Sequence, residues 1–188
     1  VQNQLNSAQK ALETSTAAKT VADDELKRAQ KNKADVETLQ KDTDDRKNQC
    51  ETEINNLNQS LKACEGKIIT EQYSLDSLEK IIKIIIDDLQ REGIPQSERE
   101  FLEAQLAATQ ESRDASKNQL DAYMEEYNKL TEEKNSLEKN LETVNVNLAT
   151  LKKMQADADE KLLSAETAAK QAQAAFEEAQ KKYDGLTI

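Results

Sequence analysis

EKIIKIIIDDLQREGIPQSERE, residues 79–100, crowds five isoleucines into residues 81–86, shortly before the only proline of a 188-residue chain. The same stretch carries stop and start signals for helices a few residues apart. Gly93 can take the left-handed conformation that ends a helix at C′. Ile94 would then touch Leu89, the hydrophobic contact of a Schellman ending. Pro95 forbids continuation. Ser97, followed three residues later by Glu100, has the form of a capping box and marks a new start. Such closely spaced signals specify a tight αα-hairpin. The expected layout is one elongated hairpin over 1–188: a first helix over about 1–92, a turn at 93–96, and a second helix over about 97–186.

The hydrophobic period on each side of the turn agrees. Counting back by sevens from Leu89 meets Ile82, Leu75, Ile68, Leu61 and Ile54, and further out Leu26, Leu12 and Leu5. These are a positions. The d series runs back from Ile85 through Leu78, Cys64, Leu57, Cys50, Val36, Ala29, Ala22 and Ala8. After the proline, a second unbroken frame has Leu106, Leu120, Tyr127, Leu141, Leu148, Leu162, Ala169 and Phe176 at a. Its d series includes Leu102, Tyr123, Leu130, Leu137, Leu151, Ala158, Ala165 and Ala179. Only a fixed seven-residue repeat keeps one seam facing a partner, so each half reads as one strand of a coiled coil. Each helix would span roughly 135 Å at 1.5 Å per residue. The fold class is therefore all-α, a long antiparallel two-helix coiled-coil hairpin.

An antiparallel hairpin pairs a with d across the seam. Setting Leu89 against Leu102 fixes a register in which paired residue numbers sum to about 191. Ile85 then meets Leu106, Ile68 meets Tyr123, Leu61 meets Leu130, and Leu26 meets Ala165. Large faces small in most outer layers, as an interdigitating core requires. A slip of one heptad is the main rival. Lys19, Lys33 and Lys47 occupy a positions, with Gln40 and Thr43 between the latter two, so residues 15–47 and their partners near 144–176 are expected to be the softer part.

Composition limits function more than it defines it. Charged residues make up 34% of the chain and aromatics 3%, and the formal charge is −11. That charge argues against nucleic acid as a partner, because phosphate binding needs clustered Lys and Arg. It also disfavours anionic membrane surfaces. The apolar run Ile84–Ile86 is far too short to span a bilayer. The chain has no His, which removes the usual general base. There is no glycine-rich phosphate loop. Asp42, Asp44 and Asp45 lack the Gly and Glu spacing of a calcium loop and read as a solvated helix face. No catalytic, cofactor-binding or metal-binding residue is expected, and no cofactor.

What remains is contact between proteins. Ile82 and Ile85 belong to the seam, but Ile81, Ile84 and Ile86 fall at g, c and e, Ile69 at b and Tyr73 at f. With Ile94 and Phe101 they form the candidate interaction tip, since clustered exposed apolar residues usually mark a binding surface. Ala11, Ala18, Met154, Ala168 and Ala175 at g widen the apolar face beyond what two helices need. That suits two hairpins packed as a dimeric four-helix bundle.

Cys50 and Cys64, two heptads apart on one helix, are roughly 21 Å from each other and cannot bond within a hairpin. They are either buried thiols or candidates for an interchain disulfide. Asn58-Gln59-Ser60 is a candidate glycosylation sequon. A chain opening on Val1 fits either a processed mature protein or a fragment. The pattern resembles hairpin coiled coils in general: stalks and arms of larger machines, bacterial surface rods, secreted helical proteins. The leading expectation is a non-enzymatic protein acting through a protein partner or self-association, in an extracellular setting as a surface or secreted host-interaction factor. The alternatives are an intracellular structural arm, and a lipid or small-ligand carrier formed by a helical bundle.

Overall fold

The computed structural model describes residues 2–187. They form two helices, α1 (Gln2–Leu89) and α2 (Gln96–Thr187), packed against each other without strands among the described residues. The protein is an all-α helical hairpin.

The heptad frame accounts for which residues are covered. Every a and d residue of α1 from Leu5 to Leu89 is buried or half-buried. In α2 the same holds from Arg99 onward, with Leu186 the exception. Bonds between the helices set the register. Cys64 Sγ donates to the Tyr123 carbonyl at 3.2 Å, Tyr127 Oη donates to Glu65 at 3.1 Å, and Lys33 Nζ lies 2.8 Å from Asp159. These pairs bracket the expected sum of 191, Cys64 with Tyr123 just below it and Lys33 with Asp159 just above. A slip of one heptad would move Lys33 opposite residue 151 or 165 and is excluded.

Contacts divide the chain into two compact units. The tip unit is Gln49–Leu141, and the outer unit joins the described residues up to Asn48 with those from Glu142 onward. The tip unit is built on large aliphatic residues: Leu61, Ile82, Ile85, Leu102 and Leu120 are buried, with Cys64 among them. Its buried Ser116 donates a hydrogen bond to the Glu71 carboxylate. Both are d residues, in adjacent layers of the seam, so these polar groups satisfy each other and do not carry the cost of an orphaned group.

The outer unit has smaller buried residues, Ala22, Ala158 and Ala169 together with Val36, Leu148 and Leu151. Its seam lysines reach out along their stems. Lys33 runs to Asp159 and, at 3.9 Å, to Glu37, and Lys19 Nζ sits 5.0 Å from the centre of the Phe176 ring. The apolar stems stay in the seam while the ammonium groups find acceptors at its edge. The hydrogen bond and charge of Asp159 raise the pKa of Lys33, and Lys33 in return lowers that of Asp159. Gln155 carries a buried side-chain oxygen with no partner, a local weakness in this seam.

The turn corrects two expectations. Gly93 has φ 75°, the left-handed conformation that a Cβ disfavours. But α1 closes at Leu89 and not near 92. Beyond it the backbone tightens, with Arg91 N–H donating to the Asp88 carbonyl at 3.2 Å, the i→i+3 bond common at helix ends. α2 begins at Gln96, with Arg99 N–H bonded to the Pro95 carbonyl at 3.0 Å. Pro95 is therefore the cap residue, and the Ser97–Glu100 pair lies inside the helix. A side chain links the two ends. Arg91 reaches Glu98 at 3.0 Å and the Asp88 carboxylate at 3.5 Å. This clamp is formed by residues on either side of the proline, so a capping signal in one helix cannot reveal it.

Candidate functional site

An α-helix advances 100° per residue, so the positions away from the seam run in the order e, b, f, c, g around each helix. In an antiparallel pair the g flanks of both helices fall on one side of the seam and the e flanks on the other. This geometry decides which of the candidate tip residues belong together.

All seven candidates lie in the tip unit. Six are exposed: Ile69, Tyr73, Ile81, Ile84, Ile86 and Phe101. Ile94 is half-buried under the turn. They do not form one patch. Ile81 at g, Ile84 at c and Phe101 at c share the g flank, with Ile84 60% and Phe101 64% exposed. Ile86, the least open at 37%, and Ile69 lie on the e flank. Tyr73 stands on the outward edge of α1, 71% exposed. Met124, exposed at an e position of α2, escaped the sequence reading because it stands alone in a polar stretch. The register brings it to the level of Ile69 on the e flank.

The flanking groups near the middle of this unit are aromatic and charged. Lys67 Nζ lies 5.2 Å from the Tyr123 ring centre and 3.8 Å from Glu126. Tyr127, donating to Glu65, has its pKa raised because that hydrogen bond and the carboxylate charge both favour the protonated phenol. These contacts hold seam side chains in place. None of them converges on a substrate-sized enclosure.

The two cysteines differ. Cys64 is 1% exposed, and its thiol is engaged with the Tyr123 carbonyl. It packs as a small seam residue. Cys50 is half-buried, so of the two it is the one whose sulfur another chain could approach. Thiol labelling of the native protein should modify Cys50 first, and Cys64 at least about 100-fold more slowly, because Cys64 must wait for local opening of the seam. Mass mapping of the labelled peptides checks this; equal rates would mean that the seam opens freely at residue 64.

Asn58, Gln59 and Ser60 are all exposed on α1. Among the described residues no group of three or more His, Cys, Asp or Glu is arranged to hold a metal ion. Among the same residues, no helix is long and apolar enough to cross a membrane. No family model matches the chain, and no curated protein or solved structure shows significant similarity to it.

Proposed function

We propose that this is a non-enzymatic coiled-coil protein that works by protein–protein contact, with the g flank of the tip unit as its principal binding surface. The observation that carries this reading is the exposure of Ile81, Ile84 and Phe101 on one side of the hairpin. Burying a large aliphatic or aromatic side chain contributes roughly 1.5–3 kcal/mol. Three such residues beside a turn can anchor a partner, and their presence on a surface otherwise rich in Lys, Glu and Gln needs an explanation. The partner surface is apolar, of protein or peptide chemistry. Self-association is a further form of the same activity. The acidic charge and the exposed Asn58 sequon support an extracellular setting for this contact.

The test is comparative. Proteins captured by the purified chain should be lost with Ile81→Lys/Ile84→Lys and retained with Leu163→Lys, a change of an exposed residue in the outer unit. Circular dichroism should show equal helicity in all three. Capture that survives the double change would remove the tip from consideration.

A further inference from the structure

The two flanks of the outer unit differ in charge. Its e and b positions carry nine acidic and four basic side chains, its g and c positions five and four. Asp23, Glu37, Glu142, Asp159, Glu166 and Glu177 all stand on the e side. The g side is close to neutral and is lined by Ala11, Ala18, Ala168 and Ala175. It also holds three large exposed apolar residues, Val21 at c with Leu39 and Met154 at g. The register sets Leu39 of α1 level with Met154 of α2 on this flank, 51% and 43% exposed. About one heptad further out an open groove is floored by Ala29 and Ala165 and edged by Ala168 and by the charged Glu25, Arg28 and Lys161.

A surface meets itself without repulsion when its own charge is near zero, and loses most when it is strongly of one sign. Two acidic e flanks would oppose carboxylates to carboxylates. Two g flanks would oppose Ala, Leu, Met and a balanced set of ions. The surface area points the same way. The chain exposes 13406 Å² at 21.1 kDa, whereas a compact monomer of that mass exposes about 9,000 Å². Two helices supply too few neighbours to cover more. The outer part of α1 is about 70 Å long, and a strip one helix diameter wide along it amounts to about 800 Å², the share of one partner in a standard stable interface.

We infer that the g flank of the outer unit is a homodimer interface, on which a second copy of this chain packs through Leu39, Met154 and the alanine-lined groove to complete a four-helix bundle. This rests on the reading of the chain as a contact protein, but it concerns a different surface from the tip. The acidic e flanks then face outward on both sides of the bundle, where water and salt screen them.

Light scattering behind size exclusion, in reductant and over a dilution series, tests the inference. The unaltered chain should run at twice 21.1 kDa. Leu39→Glu/Met154→Glu should halve that mass with helicity retained, since both residues are on the surface of the single hairpin. Ala175→Arg, at the same flank, should do the same and guards against a folding defect in the first variant. Leu163→Glu, on the e side, should leave the mass doubled. Ile81→Lys/Ile84→Lys should also leave it doubled, so that failure of the tip and failure of the dimer are read separately. A mass of 21.1 kDa for the unaltered chain at every concentration would overturn the inference. So would a dimer that persists in both g-flank variants, or one seen only without reductant.

Discussion

Ile85→Ala is expected to destabilise the protein by about 2–5 kcal/mol, while Ile84→Ala, one residue away, changes stability by less than about 0.5 kcal/mol. Ile85 is a d residue and 4% exposed; Ile84 is a c residue and 60% exposed. The two side chains are chemically identical, so the comparison isolates position. Truncating Ile85 removes buried carbon and leaves a hole opposite Leu106, the residue the register sets against it, in a layer next to the buried Ile82. The hole is flanked by solvent on both sides of a two-helix seam, so water can enter it, which places the loss toward the lower end of the range. Urea unfolding followed by circular dichroism measures both variants. Equal losses at 84 and 85 would mean that the outward face of α1 is covered in solution, a result that would itself point to a bound partner.

Amide hydrogens of residues 54–89 should exchange at least about 100-fold more slowly than those of residues 15–47. The cause lies in what each seam buries. Replacing a buried Ala by Leu or Ile adds three carbons, and each buried methylene is worth about 0.8 kcal/mol. The tip unit buries Leu61, Ile82 and Ile85 on α1, whereas the outer unit buries Ala22 and Val36. Opposite them stand Leu102 and Leu120 in one unit, and Ala158 and Ala169 with Leu148 and Leu151 in the other, so the contrast is carried mainly by α1. A single such exchange amounts to more than a tenfold difference in a local opening equilibrium, and two exceed the stated factor. Lys19, Lys33 and Lys47 weaken the outer seam further, although the Lys33–Asp159 pair offsets part of that. Its exposed geometry keeps the contribution small and sensitive to salt. Exchange mapped by mass spectrometry decides the matter, and even protection along α1 would contradict the packing argument.

Much of this was legible beforehand. The a and d series predicted the covered residues from Leu5 to Leu89 almost without error, because a seven-residue spacing translates directly into one face of a helix. Gly93 announced its left-handed backbone through the neighbouring Ile94-Pro95. The candidate tip was legible residue by residue but not as a surface. Sequence order sets Ile81 beside Ile86, while helical geometry sends them to opposite flanks and brings Phe101 to the flank of Ile81 and Ile84. Met124 and the Arg91 clamp were hidden for a related reason: each depends on a residue far along the chain or across the turn.

What the sequence alone determined is the hairpin and which residues line its seam. Period and turn chemistry are properties of near neighbours, whereas a slip of one heptad keeps every a and d residue on the seam, so the register was settled only by bonds between the helices such as that of Lys33 with Asp159. Tertiary structure alone decided how completely each residue is covered. The same heptads serve a seam shared by two helices or by four, so no pattern of letters could say that Cys64 would be sealed against Tyr123 while Cys50 stayed accessible. Nor could it say that Leu39 and Met154 would stand open at one level of the g flank. Burial depends on the number of neighbours in space, which the spacing along one chain does not contain.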